Sequence, residues 1–367
     1  MNELEYDAIL VDTSIFKRNG LKLENGLLAR LKQFSRTQIN FLMPDVIKNE
    51  ILCHLDKEIK DSKISLEKSI QDASSNLFFD GSVLNKAKKL LLNSKEIENL
   101  AQSRLEKFIT DTNALVIDCN HFVSVQDVLD IYFRNEPPFS DTGKKKCEFP
   151  DAITLLAVEK WAETSSKRVL AVASDKDWKN YCESSTNIDY IEDFSEGLSI
   201  FNEATAPYAL LDNIRKGLEE GSANNFLSGI ESGLELALNG FVPDQEAESQ
   251  LYWEPDGSHG WFKEFELDSN DFKIIETDKD YVVIGAWATI TVEAEGDFSL
   301  SVYDSFDREY VSMGGVSKTV EEDFESEVLI TISGNLSEDI NELSIDDVEI
   351  VNPITSINFG TLEMDWD

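Results

Sequence analysis

The chain has 367 residues, with 71 Asp+Glu against 33 Lys+Arg and a formal charge of −38. That length allows two domains with cores of their own, and no apolar run approaches the roughly 18 residues that mark a membrane span. Charge is unevenly placed. Residues 1–202 carry 26 Lys+Arg and 33 Asp+Glu, a balance of −7, whereas residues 203–367 carry 7 and 38, a balance of −31. The two halves are therefore expected to have different jobs or partners, and the second to repel nucleic acid and anionic membranes. Cysteines at 53, 119, 147 and 182 show no CxxC spacing, and the histidines at 54, 121 and 259 are scattered. A structural zinc site is not expected, and a reduced, cytoplasmic setting fits best. The opening MNELEYDAILVD lacks the basic n-region of a signal peptide.

In chain order, Ala8 to Val11 is a compact apolar run ending at Asp12. It reads as a buried strand with an acid at its carboxyl end, although Asp12-Thr13-Ser14 would serve equally as a helix N-cap. Leu21 to Phe34 has helical periodicity, and Ile39 to Met43 reads as a second strand. Pro44-Asp45 then starts a helix. At about 100° per residue, Glu50 falls between Val46 and Ile47 on its wheel. It thus points inward, where a carboxylate needs a partner, a proton or a metal; the plainer reading is a helix end that lets Glu50 reach water. Leu55 to Asn76 and Val83 to Thr110 look like two long amphipathic helices forming an inserted hairpin. Ala114 to Ile117 reads as a third strand and Gln126 to Phe133 as a short helix. In the loop from Asn135 to Glu148, Lys144, Lys145 and Lys146 are either a solvated charge run or phosphate contacts.

The stretch FPDAITLLAVEKWAETSSKRVLAVASDKDW, residues 149–178, organises the first half. Pro150 suits a first helical position and Asp151 lies in the same turn. Thr164-Ser165-Ser166 breaks the helix. Val169 to Ala173 is the continuous apolar run of a parallel strand covered on both faces. Ser174-Asp175-Lys176-Asp177 follows it directly, where open α/β sheets place their sites. Asp189 to Phe201 closes this domain with an edge strand and a short helix.

Beyond it, Ala206 to Leu218 and Asn225 to Leu238 read as two helices. From Phe241 the pattern alternates: Trp261 to Leu267, Phe272 to Thr277, Tyr281 to Ala294, Phe298 to Tyr303 and Val328 to Ile332 are separated by turn-rich pieces, including Glu295-Gly296-Asp297. An all-β sandwich or barrel is expected. The domains are thus drawn at 1–202, with a helical connector at 203–243 and an acidic β-rich domain at 244–367.

Asp12, Glu50, Asp151 and Asp175 stand at strand ends or helix starts, with Asp177 close by. A parallel sheet with helical crossovers would bring them to one edge. Clustered carboxylates repel, and hard oxygen donors of this kind suit Mg²⁺ or Mn²⁺. On ILVDTSIF, PDVIKNEI, FPDAITLLA and VLAVASDKDW, the first half resembles the PIN-domain nucleases. The resemblance implies an α/β fold: a three-layer, parallel-sheet domain with a helical insertion. It implies a metal site built from Asp12, Glu50, Asp151 and Asp175, with Asp177 at its margin. It also implies an Mg²⁺- or Mn²⁺-dependent endoribonuclease acting on single-stranded RNA or RNA loops. Thr13, Ser14, Ser174 and the three lysines would then meet the substrate. Ala173 stands where toxin-type members often have Thr or Ser, which bears on substrate choice. A toxin-like or defence effector regulated by its second half is one expectation; a non-catalytic PIN-like scaffold recruiting protein partners is the alternative. A haloacid-dehalogenase-type phosphatase is disfavoured, because Asp12-Thr13-Ser14 lacks a second Asp two residues on. The acidic half reads as a module that binds a protein partner, as a built-in brake on the basic side of the nuclease, or as a soluble structural appendage, the first being favoured.

Overall fold

The computed structural model describes residues 5–77, 86, 88, 90, 91, 97, 99–139, 148–202, 208–268, 271–334 and 343–363. Lys144, Lys145 and Lys146 lie outside them. The chain divides into two compact units, residues 1–204 and 205–367.

The first unit is built on five parallel strands: β1 (Ala8–Val11), β2 (Asn40–Pro44), β3 (Leu115–Ile117), β4 (Val169–Val172) and β5 (Ile188–Ile191). Their spatial order is β3-β2-β1-β4-β5. Every residue of β1 and β4 is buried. Successive strand side chains point to opposite faces, so both faces of the sheet are covered. The order reverses between β1 and β4, and the crevice that forms outside the carboxyl ends at such a switch is where α/β folds hold ligands.

Helices link the strands. Two short ones, α1 (Thr13–Arg18) and α2 (Gly26–Arg30), follow β1, and a 3₁₀ turn over Leu31–Arg36 continues α2. The single helix expected over 21–34 is therefore replaced. Gly20 and Leu21 both take left-handed φ, at 61° and 53°, and Asn25 caps a new start. After β2 comes α3 (Asp45–Leu77), one continuous 33-residue helix that begins directly after Pro44, the last residue of β2. It packs on α4 (Leu100–Thr112), where the described part of the insertion returns to the sheet. Phe108 anchors that return edge-to-face against Phe16 and Phe41. The helix α5 (Val125–Arg134) begins at a capping box in which Ser124 and Asp127 satisfy each other's backbone.

The next helix, α6 (Phe149–Ser165), has Pro150 at its start and ends where Ser166 turns left-handed at φ 53°. Its beginning is held by a small cluster in which Val128, Ile131 and Phe139 pack with Ala152, with Tyr132 and Phe149 against them. Tyr132, Phe139 and Phe149 stack mutually at centroid distances of 5.0–5.4 Å. That cluster fixes the turn that carries Asp151. Two further helices, α7 (Lys176–Cys182) and α8 (Phe194–Asn202), complete the unit.

In the second unit, α9 (Tyr208–Glu219) and α10 (Asn224–Leu238) precede an antiparallel sheet of β7 (Tyr252–Leu267), β8 (Lys273–Thr277), β9 (Tyr281–Asp304), β10 (Glu309–Ser333) and β11 (Ser344–Ile350). The order is β11-β10-β9-β7, with β8 also on β9, and β6 (Asp244–Glu248) and β12 (Ser356–Thr361) form a separate parallel pair. Two expectations are corrected here. Among the described residues the antiparallel strands form an open sheet that does not close into a barrel, with a helix laid on it and the β6–β12 pair beside it. The helices drawn as a connector also share the sheet's core: Phe226, Ile230, Leu234 and Leu238, four residues apart, pack with Ile284, Ile290, Val328 and Ile330. Close approach is permitted by Gly233, where a Cβ would fall 2.4 Å from Val348.

The turn expected at Glu295-Gly296-Asp297 is also absent, and β9 runs through it. Gly296 is paired on both sides, with Lys318 of β10 and Ser258 of β7. Its missing side chain leaves room for Phe359, whose Cζ would lie 2.7 Å from an added Cβ. A glycine flanked by acids reads as a turn; here it marks a close approach inside a strand.

Candidate metal centre

Two neighbouring strands set the site. Asp12 ends β1 and caps α1, accepting a hydrogen bond from Ser14 N at 2.9 Å. Its own N–H donates to Val172 O on β4 at 2.9 Å. Asp175 stands three residues past the end of β4, where its side chain caps α7 by accepting from Asp177 N at 3.0 Å. A second link crosses the switch point: Ser174 N donates to Ser14 Oγ at 3.1 Å. The β1 and β4 ends are thereby locked together before any ligand arrives.

The other two acids come from helices. Glu50, on the second turn of α3, accepts the Thr13 hydroxyl at its Oε2 at 2.7 Å. Asp151, in the first turn of α6, accepts the indole N–H of Trp178 at 2.9 Å. Trp178 is fully buried, so the donor is fixed as firmly as the core.

Electrostatics tie the four together. Burial pushes the Asp12 carboxyl above its ordinary range, and Glu50 adds to the push while hydrogen bonds from Ser14 oppose it. Asp151 is pushed up to about 7, first by burial and then by the charges of Asp12, Glu50 and Asp175, with Trp178 opposing. Asp177 is raised by burial, by Asp175 and by Glu148. Repulsion among neighbouring carboxylates is relieved by protonation or by a cation.

Among the described residues, no group of three or more His, Cys, Asp or Glu side chains is gathered closely enough to hold an ion by itself. The donor chemistry nevertheless fits a hard divalent cation. Mg²⁺ keeps several waters and is bound through one or two carboxylates, so it does not require a closed cage of protein ligands. Two of the cysteines, Cys119 and Cys182, are buried with their thiols pushed up to about 12, and His121 sits beside Asp118.

The small residues expected at the substrate have structural partners as well. The Thr13 hydroxyl is committed to Glu50, and Ser14 bridges to Ser174. The Ser174 Oγ itself is buried and makes no hydrogen bond among the described residues. Two side chains went unassigned in the sequence reading. Trp178 steadies Asp151, and its only sequence signal is its place three residues after Asp175. Glu148 is buried just ahead of α6 and raises Asp177; in the sequence it is only the last residue of a loop.

The first unit is a parallel five-stranded α/β sheet with Asp12 and Asp175 at the carboxyl ends of β1 and β4. Residues 9–178 match the family model described as a PIN domain, and the first unit is accordingly PIN-like. No curated protein matches the chain, and no solved structure does. PIN domains are usually nucleases that bind divalent metals. Among the described residues, no helix is long and apolar enough to cross a membrane.

Proposed function

We propose that the first unit is an Mg²⁺- or Mn²⁺-dependent endoribonuclease, with Asp12, Glu50, Asp151 and Asp175 holding the cation and Asp177 at its margin. The observation that carries this reading is Asp151. It is a half-buried acid pushed up to about 7, first by desolvation and in part by three other carboxylates, a repulsion that a cation relieves. When bound, such an ion supplies an activated water and steadies the leaving oxygen of a phosphodiester. The chain's own contribution is to orient the acids through Thr13, Ser14 and Trp178. RNA, single-stranded or looped, is the substrate this reading favours. A toxin-like or defence-effector role controlled through the acidic second unit extends it.

The test is cleavage of a labelled single-stranded RNA by the full chain. Cleavage should need Mg²⁺ or Mn²⁺, stop on chelation, and fall at least about a hundredfold in Asp12→Asn, since a missing anionic ligand misplaces the metal and its water. Undiminished cleavage in EDTA overturns the proposal.

A further inference from the structure

The β9–β10 hairpin of the second unit ends in an aromatic patch. Tyr303, near the end of β9, pairs across the hairpin with Tyr310 of β10, and Tyr252 opens β7 opposite Ser301. The rings gather: Tyr252 to Tyr310 is 4.5 Å between centroids, and Tyr303 to Tyr310 is 5.3 Å. Each remains about half exposed, at 48, 51 and 55% for Tyr252, Tyr303 and Tyr310. Phe306, in the connecting turn, is 96% exposed, and Val311, paired with Val302 on the other face of the hairpin, is exposed too. Single exposed apolar residues are ordinary, but a contiguous apolar patch with a polar rim marks an interaction surface. Tyrosine and phenylalanine are also among the residues that protein interfaces enrich.

Charge decides what fits there. Asp304 and Glu309 at the strand ends and Asp307 in the turn stand against Arg308, and β7 brings Glu254 and Asp256 alongside Tyr252. On β9 the exposed face of Tyr303 continues through Asp297, Glu295 and Glu293. Glu293 stands directly opposite Glu321 of β10, a like-charge pairing that costs stability and that Lys263, 2.5 Å from Glu321, relieves in part. Nucleic acid and anionic lipid are repelled by such a face. Arginine suits it on both counts, because a guanidinium stacks on tyrosine rings and pairs with carboxylates.

We propose that the tyrosine-lined end of the β9–β10 hairpin is a docking surface for a basic polypeptide segment of a partner protein. The partner's apolar side chains meet Phe306 and the three tyrosines, and its arginines meet the acidic rim. The surface belongs to the second unit alone and stands apart from the nuclease reading of the first.

The experiment uses the full chain and a short labelled peptide of alternating arginine and leucine, read by fluorescence anisotropy. Phe306→Ser, and separately Tyr303→Ser/Tyr310→Ser, should each weaken binding by about tenfold or more, as central aromatic anchors do. Phe306 lies in an exposed turn, so its loss leaves the fold intact. Asp244→Asn/Glu246→Gln/Glu248→Gln, which removes three charges from β6, should weaken binding by less than about threefold through its effect on the general field. Two results overturn the proposal: tip variants that bind as tightly as the parent, or a β6 variant that loses as much as they do, which would mean diffuse polycation attraction. Neutral phosphatidylcholine vesicles and sedimentation of the chain alone complete the test. Tip-dependent vesicle binding or self-association, with peptide binding unchanged in the tip variants, would assign the surface to lipid or to a second copy and also overturn it.

Discussion

The indole N–H of Trp178 donates to Oδ1 of Asp151 at 2.9 Å, from a ring that is wholly buried. This bond joins the start of α6 to the start of α7, and so it holds together two acids, Asp151 and Asp175, that lie 24 positions apart in the chain. It also opposes the rise of the Asp151 pKa, because a donor favours the charged form of a carboxylate.

Trp178→Phe keeps most of the buried ring and removes only the donor. Asp151 should then titrate above about 7, visible by carboxyl-labelled NMR. Stability should fall by about 2 kcal/mol, the scale of a lost hydrogen bond to a charged group. Trp178→Ala should cost more, about 3–5 kcal/mol, through the cavity it leaves. An unmoved Asp151 titration in Trp178→Phe would show that the bond does not tune this acid.

Stability without metal should depend on pH with a definite sign. Asp151 moves from an ordinary 3.8 to about 7 on folding. Between those values the folded chain binds more protons than the unfolded one, so stability falls as pH rises through that window. At 1.36 kcal/mol per unit the full effect is up to about 4 kcal/mol above pH 7. Asp12, also raised, acts in the same direction. Urea denaturation in EDTA should show this fall, Asp151→Asn should flatten it, and Mg²⁺ should stabilise more at pH 8 than at pH 5.5. A stability that rises from pH 4 to 7 and is unaffected by Asp151→Asn would contradict the account.

Much of the site's composition was legible in the sequence because each acid sits at a boundary that local rules mark. Asp12 ends an apolar run, Pro44 and Pro150 announce helix starts, and Asp175 follows a run of five buried apolar residues. What was not legible depends on contacts between distant segments. Nothing near Thr13 predicts that its hydroxyl meets Glu50, 37 positions away, and Trp178 reads as ordinary core until Asp151 is placed beside it. In the second unit the same limit applied to longer elements. The periodicity of α10 was visible, but the sheet that it covers is assembled from strands up to about 120 residues later, so the helix looked like a connector. Gly296 misled for the opposite reason, since its local signal for a turn was outweighed by pairing on both sides.

Thr13→Val should weaken metal binding while leaving all four acids in place. The hydroxyl that orients Glu50 at 2.7 Å is lost, and outer partners of ligating carboxylates typically contribute 10–100-fold in affinity. Titration with Mn²⁺, followed by its paramagnetic resonance signal, measures the change; equal affinity in Thr13→Val and the parent would remove Thr13 from the site's support.

Gly296→Ala should destabilise the second unit by about 1–3 kcal/mol, the usual cost of overpacking. The added Cβ would meet Phe359 Cζ at 2.7 Å and Gln245 Nε2 at 2.8 Å. Hydrogen exchange should show faster opening in β9 and β12 with protection of β1 and β4 unchanged. Unchanged exchange throughout would mean that Phe359 moves aside freely.

The most direct measurement is anomalous diffraction from crystals soaked in Mn²⁺ at a pH above about 7, where Asp151 is ionised. The account predicts a manganese peak between Asp12 and Asp151, at the end of the β1–β4 crevice, with Glu50 or Asp175 reaching it directly or through water. A well-ordered map at saturating Mn²⁺ with no peak there, or with the ion bound only elsewhere on the acidic surface, would contradict it.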